Sequence, residues 1–286
     1  MNWSDRRKRF RAVLAGDICV HPGSVHDAIS ARIAEDLGFE VGMFAGSVAS
    51  LTVLGAPDLI VLTLSEFAGQ AYRINRAGGL PLMVDADHGY GNALNVKRTV
   101  EELETAGVAG LSIEDTELPR PYGDGKVTLI PVEEGVGKMK AALAGRQDPM
   151  LAIAGRTSAV MLTGVDDAIA RGRAYEAAGV DALFFVGVTT RAQLDALSAA
   201  TTLPIILGGV AGDLSDKAYL ASRRVRIALQ GHQPYAAAVQ ATYATLKALR
   251  DGVPPSKLEG VASADLMKRV TRDGDYARWT KEFLGG

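Results

Sequence analysis

Cysteine is nearly missing from this 286-residue chain, where Cys19 is the single thiol. One cysteine excludes an internal disulfide and a zinc centre built on thiolates. Set in Asp17-Ile18-Cys19-Val20, it reads as a small buried hydrophobe. An excess of either charge is lacking too, since 31 Lys and Arg against 33 Asp and Glu leave a net charge of −2. That balance predicts no nucleic acid and no anionic membrane surface as a partner. No stretch approaches the roughly 18 consecutive apolar residues of a membrane span. The N-terminal run Arg6-Arg7-Lys8-Arg9 has the charge of a signal peptide, but the apolar run from Ala12 to Gly16 is short and broken by Asp17. The basic run therefore reads as the solvated face of a first helix, and the protein as cytoplasmic.

Glycine, by contrast, is plentiful: 32 residues, about 11% against a usual share near 7%. With no Gly-X-Y period, the excess marks tight turns. A phrase recurs in which a helical pattern meets a glycine and then a short apolar run: Leu37-Gly38-Phe39-Glu40-Val41, Ala106-Gly107-Val108-Ala109-Gly110, Ala178-Gly179-Val180-Asp181-Ala182. Glycine just past a helix and leading into a strand is the expected joint of an α/β fold. Eight apolar runs follow this rhythm, near 18–20, 41–45, 82–85, 110–114, 151–154, 182–186, 204–207 and 225–229. Between them, Thr63 with Glu66 makes a capping box, Asn92 can cap a helix, and Pro131 suits a first helical turn. Eight βα units match the arithmetic of a (β/α)8 barrel. The rival, a doubly wound open sheet, would show a Gly-x-Gly-x-x-Gly turn after its first strand, which is missing. The expected organisation is an α/β TIM barrel over residues 1–250. A helical extension over 251–286, broken at Pro254-Pro255, belongs to the same domain.

In such barrels the chemistry sits where strands end. The polar residues at those ends are Ser47 after the second run, Asp85 and Asp87 after the third, Glu114 and Asp115 after the fourth, Arg156 after the fifth and His232 after the eighth. Carboxylates at this density repel one another unless a cation lies among them, and oxygen donors without thiols suit Mg²⁺. Helix capping or pairing with lysines is the plainer reading of an isolated aspartate, but two in one Gly-rich turn favour metal. A two-carboxylate glycosidase would leave Arg156 without a role. Arg156 suits a bidentate clamp for a carboxylate or phosphate and equally a structural partner of Glu114. His21 and His26 read as structural, and His88 stays undecided. Gly208-Gly209 and Gly231 would suit a barrel phosphate site, although short turns need glycine anyway.

The stretch Asp85-Ala86-Asp87-His88-Gly89-Tyr90-Gly91-Asn92 resembles the third-strand signature of the isocitrate lyase/phosphoenolpyruvate mutase superfamily. Pro22 to Ala28, Leu54-Gly55-Ala56-Pro57-Asp58, Gly110 to Asp115 and Gly155-Arg156-Thr157 support it. The resemblance implies a barrel that binds Mg²⁺, or Mn²⁺ in its place, and a small-molecule 2-oxo acid substrate. It makes Asp85 the metal ligand, with Asp87 and Glu114 reaching the ion through water. It makes Arg156 the carboxylate-binding arginine and puts Ser47 at the loop that meets the substrate's oxygens, although here Gly46 precedes the serine. Lyases of the family carry a Lys-Lys/Arg-Cys-Gly-His loop after the glutamate. Here Thr116 to Lys126 contains no cysteine. What remains is decarboxylation of oxaloacetate to pyruvate and CO₂ through a metal-bound enolate, with catalytic Ser47, Arg156 and His232. Asp58 and Tyr122 are candidate proton managers. A carbon–carbon lyase acting on a substituted malate, phosphonopyruvate chemistry and a non-catalytic 2-oxo-acid binder stay open. The resemblance also implies a homotetramer in which the C-terminal helices swap between subunits.

Overall fold

The computed structural model describes residues 3–123 and 125–285. The chain falls into two compact units, Met1–Gly231 and His232–Gly286. In the first, eight strands run β1 (Gly23–Ser24), β2 (Gly42–Phe44), β3 (Leu82–Asp85), β4 (Gly110–Glu114), β5 (Ala152–Thr157), β6 (Ala182–Phe185), β7 (Ile205–Leu207) and β8 (Val225–Ala228). They form one parallel sheet in sequence order. A parallel bridge between Val20 and Ile227 joins its two ends, with Val20 N–H donating to the Arg226 carbonyl at 2.9 Å. The (β/α)8 barrel expected from the sequence is thus the fold.

Strands buried on both faces read as unbroken apolar runs, and this is why seven of the eight were legible within a few residues. The first run is the exception. Ile18 is exposed, and the strand pairing with β2 starts only at Gly23. The first barrel strand is divided, Val20 serving β8 and Gly23–Ser24 serving β2, so neither piece carries an apolar pattern. Helix starts follow their side chains. Thr63 and Glu66 cap the helix Leu64–Asn75 reciprocally. Asn92 accepts from Leu94 N–H at 2.9 Å to open Ala93–Thr105. Pro131 stands one residue ahead of Val132–Gly145 rather than within its first turn.

The basic N-terminal helix, Trp3–Ala15, corrects the expectation of a solvated face. Lys8 does stand in solvent, but Arg6 and Arg7 are buried at 5% and 4% exposure. Arg7 donates to the Val108 carbonyl at 3.0 Å, the Glu104 carbonyl at 2.6 Å and Asp148 Oδ2 at 2.8 Å. Arg11 and Arg146 each reach one oxygen of Asp181 at 2.7 Å. The planar guanidinium has enough donors to satisfy several acceptors at once, which makes its burial tolerable. Gly110, the first residue of β4, leaves the space that the Phe10 ring fills, so the helix closes the N-terminal end of the barrel.

The second unit holds the helices Gln233–Arg250, Ala264–Thr271 and Asp273–Leu284. Gln233–Arg250 buries none of its residues, and Tyr243, Leu246, Phe283 and Leu284 are exposed. Among the described residues no helix is long and apolar enough to cross a membrane.

Candidate active site

Strand register assembles the charged residues. Parallel pairing sets Asp85 beside Ser112 and Glu114 beside Arg156, at the C-terminal ends of β3, β4 and β5. The Arg156 guanidinium forms a close ion pair with Asp85 through Nη1, and its Nη2 lies 3.4 Å from Glu114 Oε2. Ser112 Oγ donates to Asp85 Oδ1 at 3.1 Å, and Thr116 Oγ1 donates to Glu114 Oε2 at 2.8 Å. From β6, Phe184 supports the guanidinium, its ring centroid 5.4 Å from Cζ. The expected partner Glu114 is therefore present, and Asp85 is a second. Arg156 Nε is buried and has no hydrogen-bond partner.

Past β3 the chain turns sharply. Asp87 (φ 49°) and Tyr90 (φ 61°) occupy the left-handed region beside Gly89 (φ 81°). This bend carries the Asp87 carboxylate onto Gly46, where any Cβ would collide with it. Ser47, the next residue, is half-buried in the short helix Gly46–Ala49 that follows β2. The reversed Gly-Ser order thus has a packing reason, because the glycine makes room for Asp87.

Positive charge is short here. Burial, then the charges of Asp85 and Glu114, push the Asp87 carboxyl well above the usual carboxylate range. Burial raises Glu114 as well, against the pull of Arg156. Asp58, on the loop after β2, is raised by partial burial and by Asp85, so the structure brings it into the field of the cluster. The Arg156 guanidinium, though burial opposes its charge, is held protonated by Asp85 and Glu114. No group of three or more His, Cys, Asp or Glu close enough to cage one ion occurs among the described residues. An oxygen-rich, under-neutralised cluster without a cage fits a hard divalent ion that keeps most of its waters and takes few direct ligands.

Tyr122 stands fully in solvent on the loop after β4. His232 opens the second unit, its carbonyl accepting from Tyr235 N–H at 3.2 Å. His21 Nδ1 contacts the Ala228 carbonyl at 2.8 Å, a structural role as expected. His88 is buried, and burial together with Lys138 pushes its imidazole down to about 4, so it is neutral at physiological pH.

One buried layer escaped sequence reasoning. Asp115, next to Glu114, accepts from Tyr175 Oη at 2.7 Å and from Arg171 Nη1 at 3.0 Å, and that guanidinium also holds the Ile130 carbonyl at 3.0 Å. Burial raises the Asp115 carboxyl, with Tyr175, Thr157 and Arg171 pulling against it. The network fastens both ends of the loop after β4, since Ile130 N–H donates to the Asp115 carbonyl at 2.9 Å. A signal did exist: Arg171 shares a buried helix face with Ala168, Gly172 and Tyr175, and Lys138 shares one with Gly135, Met139 and Ala142. A charge on an apolar stripe marks a buried partner.

The chain is similar to several known proteins. The phosphoenolpyruvate phosphomutase family model matches residues 10–250. An oxaloacetate decarboxylase of Bradyrhizobium sp. (strain ORS 278) is 62% identical over 285 residues, covering 100% of this chain and 99% of the relative. Among solved structures, oxaloacetate acetylhydrolase in complex with the product oxalate superposes with a TM-score of 0.85 at 27% identity, covering 99% of each chain. Phosphonopyruvate hydrolase in complex with oxalate and Mg²⁺ also gives a TM-score of 0.85 at 27% identity, covering 98% of this chain and 99% of that one.

Proposed function

The chain belongs to the phosphoenolpyruvate phosphomutase family, and from that premise we propose that it is a Mg²⁺-dependent oxaloacetate decarboxylase. The observation that carries this reading is the under-neutralised cluster of Asp85, Asp87 and Glu114 around Arg156, in a chain so similar to a relative bearing that name. Asp85 would hold the ion directly, with Asp87 and Glu114 reaching it through water; Mn²⁺ would serve in its place. When bound, the ion supplies Lewis acidity for the electron pair that carbon–carbon cleavage releases.

The chain's own groups do the rest. The Arg156 guanidinium receives a substrate carboxylate, fixing the diacid in one orientation. Cleavage of the C3–C4 bond expels CO₂ and leaves its electron pair on the enolate of pyruvate. The Ser47 hydroxyl donates to the developing enolate oxygen. His232, four residues past β8 in sequence, orients the departing carboxylate. Asp58, whose raised proton affinity suits a proton carrier, delivers the proton that C3 takes up to complete pyruvate. No covalent nucleophile is required. We further assign a cytoplasmic homotetramer with the helical extension swapped between subunits, supported by the exposed Trp279, Phe283 and Leu284 of that extension.

The decisive experiment is product analysis of oxaloacetate turnover, with pyruvate followed by a coupled dehydrogenase. Pyruvate and CO₂ should form with Mg²⁺ or Mn²⁺ and cease in EDTA. Oxalate as product, or pyruvate only at the rate of the free metal ion, would overturn the assignment. His232→Ala should lower kcat by at least about tenfold, roughly 1.4 kcal/mol.

A further inference from the structure

The turn that carries Asp87 is expensive, and its backbone shows what holds it. Asp87 and Tyr90 both sit in the left-handed region, at a cost of roughly 1–2 kcal/mol each for residues with a side chain. Such a conformation persists only where its surroundings over-determine it. Three successive carbonyls of the turn each accept from a different element. Asp87 O accepts from Glu114 N–H of β4 at 2.8 Å. His88 O accepts from Lys138 Nζ at 2.9 Å, reached from the helix Val132–Gly145. Gly89 O accepts from Thr99 Oγ1 at 3.0 Å, from the helix Ala93–Thr105. Lys138 and Thr99 are buried, at 3% and 0% exposure.

We propose that Lys138 is a positioning residue for the cation site. Its ammonium clamps the His88 carbonyl so that the left-handed turn holds the Asp87 carboxylate under Gly46, and Thr99 secures the next carbonyl in the same way. Lys138 touches neither substrate nor ion. A buried ammonium here needs a reason. Burial opposes its charge while Glu134, Glu114 and Asp115 favour it, and that charge also repels an incoming cation through space. It stands also as a buried donor to the His88 carbonyl at 2.9 Å. The inference rests on reading the mouth as a divalent-cation site for decarboxylation.

That opposition of charge and position provides the test. Mn²⁺ affinity of the whole protein, followed by the electron paramagnetic resonance of free Mn²⁺, is compared for wild type, Lys138→Met and Thr99→Val. Loss of positioning weakens Mn²⁺ binding by about tenfold in Lys138→Met and by a smaller factor in Thr99→Val. At saturating Mn²⁺, kcat for oxaloacetate falls while KM changes little, because Arg156 still holds the substrate. If Lys138 acts only as a charge, its removal tightens Mn²⁺ binding, and the proposal is overturned. If it merely stabilises the fold, melting falls and Mn²⁺ affinity stays at the wild-type value, which overturns it equally. Should Lys138→Met not fold, Thr99→Val alone decides, since unchanged affinity there removes the clamped turn. Wild-type protein that binds no Mn²⁺ would fail the cation-site reading first, before any variant is compared.

Discussion

At the N-terminal end of the barrel, Arg7 spends its donors on two carbonyls and Asp148, and Arg11 shares Asp181 with Arg146. At the opposite end, Asp58, Asp85, Asp87 and Glu114 crowd round the Arg156 guanidinium, with the Lys138 ammonium acting on Glu114 as well. The first arrangement closes on itself and works for stability. The second gathers carboxylates that burial and mutual repulsion hold above their usual range. Both ends use buried arginine and carboxylate, so residue type does not separate structure from function here. The local balance of charge does.

The sharpest way to break this comparison is Asp85→Asn. Activity should fall by about 10³-fold, roughly 4 kcal/mol of transition-state stabilisation, while the melting temperature stays near that of wild type. A large loss of melting temperature with activity intact would reverse the roles of the two ends. Next comes Gly46→Ala, whose added Cβ would displace the Asp87 carboxylate. Steady-state kinetics should show kcat lowered by about 10²-fold, the scale of a misplaced catalytic group.

At the closed end, Asp148→Asn should cost about 1–2 kcal/mol of stability and leave kcat unchanged. Arg7 and Ser4, working against partial burial, hold the Asp148 carboxyl down to about 2 from an ordinary 3.8. A depressed acid stabilises the fold above its unfolded value and loses that contribution as pH falls. Denaturant melts of wild type should therefore lose stability from about pH 4 towards pH 2, and those of Asp148→Asn should lose less over the same range. The smallest effect expected is a gain. In metal-free protein at neutral pH, Asp87→Asn removes a crowded charge and should raise stability by about 1 kcal/mol, or roughly 2–4 °C by calorimetry. An unchanged or lowered melting temperature would mean that the open end is already neutralised.

Much of this was legible beforehand. The apolar runs marked seven strands because both faces of a parallel sheet are buried, and the strand ends named Asp85, Asp87, Glu114 and Arg156, which the structure brings together. The divided first strand was not legible, because Val20 and Gly23–Ser24 are too short to show a period. Arg6 and Arg7 looked solvated because a run of basic residues carries no mark of which carbonyls wait for it. Tyr122, a candidate proton manager by sequence, stands in solvent. Lys138 and Arg171 left a trace as charges on apolar helix faces, but not the identity of the atoms they reach.

Local chemistry written in residue order, namely helix caps, glycine joints and the polar residues that end each apolar run, determined the barrel and the contents of its mouth. Those signals act over a few neighbouring residues, so they survive in a one-dimensional reading. Tertiary structure alone decided that Arg156 bridges Asp85 and Glu114, that Gly46 yields its space to Asp87, and that Lys138 and Thr99 brace a strained turn from two separate helices. Each of these joins residues far apart in the chain, and their energies depend on burial and on charges that come near one another only when the barrel closes.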